Sequence, residues 1–349
     1  MADTTDLSYW LNWRFFLCAL WVLIIMIAAG LLIVKYEVVN KKRSRQRDDD
    51  EADVEPIGIL YEDETWRTSL RAMHPGWLLA YRLIAFSVLL ALLVTNLAFS
   101  GTRGLLFYTQ WTFALVTFYF GLASSLSIYG CCQYSNEVGD ANINHVGLDT
   151  EQGTVTAPLI EHSLAPQHVS TKPSNHGEIN VRKTAGMWGY FFQIVFQALF
   201  DKFLLTISIS FAVKQICAGS VGLTDTVFWL IIYPFLTPST YKLTFLRVCL
   251  HSVNAVFLLI EVILNRLRFP FFRLAYFALW TCTFVIFHWI LHACVSMWWP
   301  YPFLDLSSPY APIWYFGVGL IHLPAFGIFA LIVKWKQLLL SRFSENIGS

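Results

Sequence analysis

A hydroxyl, an imidazole and an amide lie inside two long apolar runs and have the residue types of a nucleophilic centre. Thr112 lies in the run 105–129, while His251 and Asn254 lie in the run 243–264. A histidine base can take the proton of a threonine hydroxyl while that oxygen attacks a carbonyl carbon. Asn254 follows His251 by three residues, so on a helix it can orient the imidazole or donate to an oxyanion.

The places of Thr112 and His251 within their runs predict that the two side chains lie at one depth. If both runs are helices that begin on the same side of a membrane, Thr112 lies roughly 10 Å from its helix start. His251 lies roughly 12 Å from the start of its own helix, at a rise of about 1.5 Å per residue. An alternative stays open, in which Thr112 bonds its own backbone and His251 packs against a neighbouring helix.

Further ionisable side chains lie in apolar stretches, where burial is costly and a functional role is the default hypothesis. Asp225, His288 and His292 are candidates for substrate binding, and Glu261 belongs to the same group. His288 and His292 share a helix face, a spacing that suits a metal or a haem. No second pair has this spacing, so we expect no metal and favour lipid binding or interhelical hydrogen bonds. The lone His322 is typical of a structural histidine.

The composition indicates whether these side chains belong to a soluble protein or to a membrane protein. The chain has 349 residues, of which 56% are hydrophobic and 13% are charged, and its mean hydropathy is +0.54. Soluble domains carry about twice that share of charged residues. A net charge of +1 gives no reason to expect nucleic acid or another acidic partner. We therefore expect an all-α integral membrane protein, a polytopic bundle of transmembrane helices whose immediate partner is membrane lipid.

Runs of about 20 apolar residues predict the membrane spans. They cover residues 10–36, 77–99, 105–129, 243–264, 272–297 and 313–333, and a block at 187–236 is long enough to cross once or twice. The predicted organisation is a signal-anchor helix (1–36), a charged cytoplasmic linker (37–76), a two-helix hairpin carrying Thr112 (77–129), a disordered cytoplasmic loop (130–186) and a C-terminal helix bundle carrying His251 (187–349).

Basic residues near the span ends predict the orientation, because Lys and Arg gather on the cytoplasmic side. A basic cluster at 41–47 follows the first run, and Lys334, Lys336 and Arg342 follow the last one. These basic clusters lie on the same side of the membrane only if the chain enters the block 187–236 on one side and leaves it on the other. We therefore expect about seven spans, with the N-terminus lumenal or external and the C-terminus cytoplasmic.

Four short motifs occur in one order along the second part of the chain. They are YTQWTFALVTFYFGL at 108–122, LTDTVFWLIIYPF at 223–235, HSVNAVFLLIE at 251–261 and MWWPYPFLD at 297–305. In this order they resemble the androgen-induced protein family, which includes the androgen-dependent TFPI-regulating protein. The resemblance implies a multi-span hydrolase that cleaves fatty acid esters of hydroxy fatty acids with an intramembrane threonine and histidine. These two residues fall on Thr112 and His251, with Thr109 as a second choice for the threonine.

The resemblance has limits that are visible in the sequence. The first span, the charged linker and the long loop have no counterpart in the animal members, which resemble six-span proteins. The chain is most similar to a plant branch, whose members are generally named only as transmembrane proteins. What the resemblance implies for this chain is a threonine-type hydrolase of long-chain lipid esters without a cofactor. For a lipid hydrolase we expect the endoplasmic reticulum or the plasma membrane. Protein partners are not predicted.

Two non-enzymatic functions remain as alternatives. A seven-span receptor fits the predicted topology, but the run 105–129 ends without an Asp/Glu-Arg-Tyr triplet and the last run lacks Asn-Pro-x-x-Tyr. A transporter or lipid-binding scaffold fits the in-membrane histidines, which can relay protons. Against a transporter, the two halves of the chain show no visible repeat.

Overall fold

A computed structural model describes residues 3–39, 66–69, 73–150, 210, 212–237, 242–265 and 269–347. Its helices are α1 (Leu7–Trp10), α2 (Trp13–Ile33), α3 (Pro75–Ser100), α4 (Tyr108–Thr150), α5 (Ala212–Phe235), α6 (Phe245–Leu250), α7 (Val253–Leu264), α8 (Leu274–Cys294) and α9 (Ala311–Ile347). Within these ranges there is no strand, only an isolated bridge between Thr68 and Asn265. The predicted all-α class is confirmed.

Seven helical segments in the described ranges are long and apolar enough to cross a membrane. They are Trp13–Tyr36, Pro75–Ser100, Tyr108–Ser135, Ala212–Phe235, Phe245–Leu264, Phe271–Cys294 and Ala311–Arg342. The predicted number of spans is therefore confirmed for this part of the chain. The ambiguous block contributes one segment through its described residues, while residues 187–209 and 211 lie outside the description. The orientation of the termini stays a prediction.

Local sequence explains where the membrane helices begin and end. The side chain of Asn12 accepts a hydrogen bond of 2.9 Å from the backbone N–H of Phe15 and caps α2. His74 caps α3 in the same way, and Pro75 follows at the first helical position, where its missing N–H costs nothing. Gly101 ends α3 with a φ of 58°, a conformation that other residues rarely adopt.

Helix α4 extends further than the sequence predicted. The disordered loop was expected from residue 130, but α4 runs to Thr150. The stretch from Tyr108 to Thr150 contains no proline, so the backbone hydrogen bonds can continue from the membrane segment at little nucleation cost. Residues 151–209, which hold the rest of the predicted loop, lie outside the described ranges.

The spans pack around two buried clusters within the compact unit Met1–Cys132 and Thr206–Ser349. One cluster joins α2, α8 and α9 and includes Cys18, Phe277 and Phe326. The other joins α3, α4, α5 and the α6–α7 pair, with Leu89 and Phe120 among its members. Two names are used below for the opposite ends of this unit. We call the end with α1 and the loop 295–310 the outer end, and the end with Asn265 and Phe271–Arg273 the inner end.

Hydrogen bonds fasten α1 to the loop at the outer end. The Tyr9 hydroxyl donates to Asp305 Oδ1 at 3.0 Å, and Trp299 Nε1 donates to the Tyr9 oxygen at 3.1 Å. Burial, together with the nearby Asp305 carboxylate, raises the pKa of Tyr9, so the phenol keeps the proton that it donates. Arg14 also donates to the carbonyl of Ser307. The N-terminal segment is thus part of the bundle.

A buried carboxylate joins the helices near the inner end. Glu261 on α7 receives Arg82 Nη2 from α3 at 2.6 Å, the Tyr119 hydroxyl from α4 at 2.9 Å and Asn265 Nδ2 at 2.7 Å. Arg82 also donates to Ser127 Oγ at 2.5 Å. Arg82 and Glu261 are 1% and 0% exposed, so water does not screen the pair. Glu261, a functional candidate by sequence, therefore has a structural role here.

Asn265 extends this network to two more helices. Its side-chain oxygen accepts from Lys214 Nζ of α5 at 2.9 Å, and its carbonyl accepts from Lys336 Nζ of α9 at 2.5 Å. The Ser69 hydroxyl donates to the same carbonyl. One continuous polar network therefore links α3, α4, α5, α7 and α9.

Replacing Glu261 with alanine is expected to destabilise the fold by about 3–5 kcal/mol, because it leaves the buried charge of Arg82 without its carboxylate. The double variant Arg82→Met/Glu261→Met should recover part of that loss, since it removes both charges and keeps similar volume. Thermal unfolding in detergent, followed by size-exclusion chromatography, measures the effect. Val256→Ala on the exposed face of α7 is the control, and a loss at Glu261 no larger than the control's would contradict this role.

An odd number of spans places the two termini on opposite sides of the membrane. In sealed microsomes we expect protease to remove an epitope tag at the C-terminus and to spare a tag at the N-terminus, in accord with the basic residues. Detergent should make both tags accessible. Digestion of both tags in intact vesicles would show an even number of crossings.

Candidate functional site

A carboxylate and an imidazole from different spans meet in the bundle. Asp225 Oδ1 of α5 lies 3.7 Å from His251 Nδ1, and the two side chains are 13% and 11% exposed. The pair is therefore largely buried yet reachable from the surface of the bundle. Both residues were sequence candidates, Asp225 for substrate binding and His251 for catalysis, and the structure brings them together.

His251 lies at a break in its span. The backbone at His251 has φ −112° and ψ 15°, and the neighbouring Ser252 has φ −144°, so α6 ends and α7 begins here. The break leaves the His251 carbonyl outside regular helical bonding, and Trp229 Nε1 donates to it at 2.8 Å. The run 243–264 contains neither proline nor glycine, so its sequence predicted one continuous helix.

The last turns of α5 contact the His251 imidazole through an aromatic ring. The Phe228 ring stacks on the His251 ring, with centroids 3.6 Å apart and planes at 1°. Residues Phe228–Leu236 form wider π-helical turns, and Pro234 within them has no N–H to donate to the carbonyl five residues earlier. This irregular segment turns Phe228 and Trp229 towards His251 and fixes the ring.

Several of the buried polar atoms without partners lie on predicted site residues. Thr112 Oγ1, Asp225 Oδ2, His251 Nδ1 and both side-chain polar atoms of Asn254 make no hydrogen bond to any described residue. A buried polar group left in this state costs about 1–3 kcal/mol. The Asn254 amide interacts with the Asp225 carboxylate without normal hydrogen-bond geometry. Unsatisfied groups in a native fold call for an explanation, and a bound polar ligand would supply one.

Thr112 behaves differently from the other hydroxyls of the membrane helices. Thr117 on the same helix donates to the Phe113 carbonyl at 2.9 Å, as a helical threonine commonly does. The same bond to the carbonyl four residues earlier is made by Ser124, Thr224 and Thr283. Thr112 is fully buried and makes no such bond among the described residues. The backbone bond of Thr112 in the alternative is therefore wrong, whereas its other part, the packing of His251 against a neighbouring helix, is confirmed by the stack on Phe228.

Thr112 and His251 belong to helices that share one core, although no hydrogen bond joins them in the described structure. Phe113, which follows Thr112, lies in the same buried cluster as Leu250, which precedes His251. Hydrogen bonds between catalytic groups are often long or unformed without substrate. The described contacts thus join Asp225 to His251 and Asn254, and Thr112 lies on a neighbouring helix of the same core.

His288 and His292 make contacts of a different kind. His288 Nε2 lies 3.0 Å from the Leu106 carbonyl, and His292 Nδ1 lies 2.8 Å from the His288 carbonyl. The His292 ring stacks on Trp299, with centroids 3.7 Å apart. Both histidines thus attach the outer loops to α8, and these contacts do not include the Asp225–His251 pair. In the described ranges, no three His, Cys, Asp or Glu side chains meet in a way that could hold a metal ion.

Sequence reasoning missed the two aromatic residues that position the imidazole. Phe228 and Trp229 lie in the quoted motif LTDTVFWLIIYPF, close to Asp225, but only the fold brings them to His251. A tryptophan beside an in-membrane aspartate was the available signal, because a buried indole N–H needs an acceptor.

No protein-family model matches the chain, and neither the curated proteins nor the solved structures give a match. The resemblance to the androgen-induced protein family therefore stays a prediction that rests on the four motifs.

Proposed function

We propose that this protein is a membrane-embedded hydrolase of long-chain lipid esters, such as fatty acid esters of hydroxy fatty acids. In this proposal Thr112 is the nucleophile and His251 is the base. The observation that carries the proposal is the set of unsatisfied buried polar atoms on Thr112, Asp225, His251 and Asn254. A lipid ester supplies the carbonyl group that such a set can bind and attack.

The proposed reaction proceeds through an acyl-enzyme. Thr112 Oγ1 attacks the ester carbonyl carbon while its proton passes to His251 Nε2, and Asn254 Nδ2 donates to the developing oxyanion. The bond to the alcohol oxygen then breaks, and the alcohol leaves with the proton from His251. Water next attacks the acyl-threonine with His251 again as base, which releases the fatty acid and restores the Thr112 hydroxyl.

Asp225 has a defined part in this proposal. Its Oδ1 faces His251 Nδ1 at 3.7 Å, so the carboxylate favours the tautomer that carries its proton on Nδ1. Nε2 is then free to accept the threonine proton, and the carboxylate stabilises the imidazolium that forms. Phe228 and Trp229 hold the ring in place from the same helix. Asp225 is thus a positioning residue in this mechanism.

Replacing Thr112 with alanine should abolish labelling by a fluorophosphonate probe and lower ester hydrolysis by at least about 10³-fold, because no acyl-enzyme can form. Thr117→Ala is the matched control, since it removes a hydroxyl that only bonds its own helix. Gel fluorescence and release of fatty acid from a long-chain ester measure both effects in purified protein. Labelling that persists in a folded Thr112→Ala variant would exclude Thr112 as the nucleophile.

Asp225→Asn should lower kcat by about 10²-fold or more with little change in KM, because the amide no longer favours the required imidazole tautomer. The control is Asp6→Asn, an equally conservative change at the exposed cap of α1, where Asn caps as well as Asp. Steady-state hydrolysis over a range of pH measures the split between kcat and KM. An unchanged kcat in the Asp225 variant would remove Asp225 from the mechanism.

A further inference from the structure

A half-enclosed apolar cavity lies between α2, α8 and α9, in a different part of the unit from the Asp225–His251 pair. Its volume is about 300 Å³, and Trp21, Leu32, Leu274, Thr281, Tyr315 and His322 are among the residues that line it. Along α8 the lining runs from Leu274 to Val285, a length of roughly 16 Å. The cavity is therefore elongated, and its volume lies at the lower end of the range for ligand pockets.

Every hydrogen-bonding side chain named in this lining already has a partner within the protein. Trp21 Nε1 donates to the Tyr315 carbonyl at 3.2 Å, and the Tyr315 hydroxyl donates to the Leu304 carbonyl at 3.1 Å. His322 Nδ1 lies 2.7 Å from the Val318 carbonyl, so in the neutral ring this nitrogen carries the proton. His322 Nε2 then accepts from Thr281 Oγ1 at 2.8 Å.

The Thr281 oxygen is also satisfied, because the Tyr108 hydroxyl of α4 lies 2.8 Å from it. Because the Thr281 hydroxyl donates its hydrogen bond to His322 Nε2, its oxygen accepts one from the Tyr108 hydroxyl. The polar atoms of the wall are thus turned to one another, and the cavity presents hydrocarbon surface to an occupant. Such a space favours an apolar chain over a polar ligand or ordered water.

The two ends of the cavity differ in charge. At the inner end Lys35 follows the lining residue Leu32 by three residues, and Arg273 directly precedes Leu274. The Tyr36 and Phe272 rings stack with centroids 5.0 Å apart, which holds these two basic segments together. At the outer end Leu304 is followed by the acidic Asp305. An anionic head group is therefore attracted to the inner end and repelled from the outer one.

We propose that this cavity binds a long-chain fatty acid, with its hydrocarbon chain between α2, α8 and α9 and its carboxylate beside Lys35 and Arg273. The single narrow space suits one chain, and Lys35, which is exposed, can pair with a carboxylate. Arg273, which is 5% exposed, adds positive charge to the same end. This binding site is independent of the proposed hydrolase activity, because it shares no residue with Thr112, Asp225 or His251.

Photolabelling with a diazirine analogue of palmitate tests the site in protein reconstituted into phosphatidylcholine nanodiscs. We expect mass spectrometry to find the label on peptides of α2, α8 and α9. Ala278→Phe, which fills the cavity from α8, should reduce that labelling at least fivefold. Leu331→Phe places the same side chain on the 67% exposed face of α9 and should leave labelling unchanged. Equal labelling of the Ala278→Phe and wild-type proteins would overturn the site.

Competition identifies the head group and the number of chains. Excess palmitate should displace the probe, whereas hexadecanol, with the same chain and no charge, and phosphatidic acid, with two chains, should displace it several-fold less well. Lys35→Glu, a change at an exposed position, should weaken labelling several-fold. Displacement by hexadecanol or phosphatidic acid as strong as by palmitate would overturn the fatty acid assignment. Thr112→Ala should label like wild type, so a failed hydrolase test and a failed binding test give different results.

Discussion

Inside a membrane, a buried polar group has no water to bind, so its partners must come from the protein. Glu261 shows how this constraint organises the bundle. Its carboxylate receives Arg82, Tyr119 and Asn265, which belong to different segments of the chain, and Asn265 in turn receives Lys214 and Lys336. Because each donor would be costly to bury alone, the helices that carry them are held in one arrangement.

The region around His251 differs from this network, as do other places in the described ranges where buried atoms such as Trp280 Nε1, His288 Nδ1 and His292 Nε2 have no partner. The inner-end network and the wall of the apolar cavity satisfy their hydrogen bonds internally, whereas Thr112, Asp225 and Asn254 keep buried atoms without partners in the described structure. The same region contains the break between α6 and α7 and the π-helical end of α5. Irregular backbone within a membrane is tolerated where other groups satisfy it, as Trp229 does for the His251 carbonyl. Unsatisfied groups and irregular helices occur together here, and this is the place that we propose for a polar ligand.

The two functional proposals place a lipid in two environments of one bundle. At the Asp225–His251 pair the lipid meets polar atoms that lack partners, which suits an ester carbonyl. Between α2, α8 and α9 it meets only satisfied polar atoms and hydrocarbon, which suits a chain. His322, read from the sequence as structural, has that role in the wall of the cavity, where it binds Thr281 and Val318.

The sequence by itself determined the class of the protein and the positions of six of its spans, because about 20 apolar residues can be stable in a bilayer only as a helix. It also predicted Thr112, Asp225, His251 and Asn254 as candidates, since polar residues in such runs are costly. Tertiary structure decided which of them meet. The contact of Arg82 with Glu261 joins residues 179 positions apart, and no local pattern encodes it. The break at His251 also has no sequence signal, because the run lacks proline and glycine. At this break Phe228 stacks on the imidazole and Trp229 donates to the His251 carbonyl, contacts that form only when α5 packs beside it.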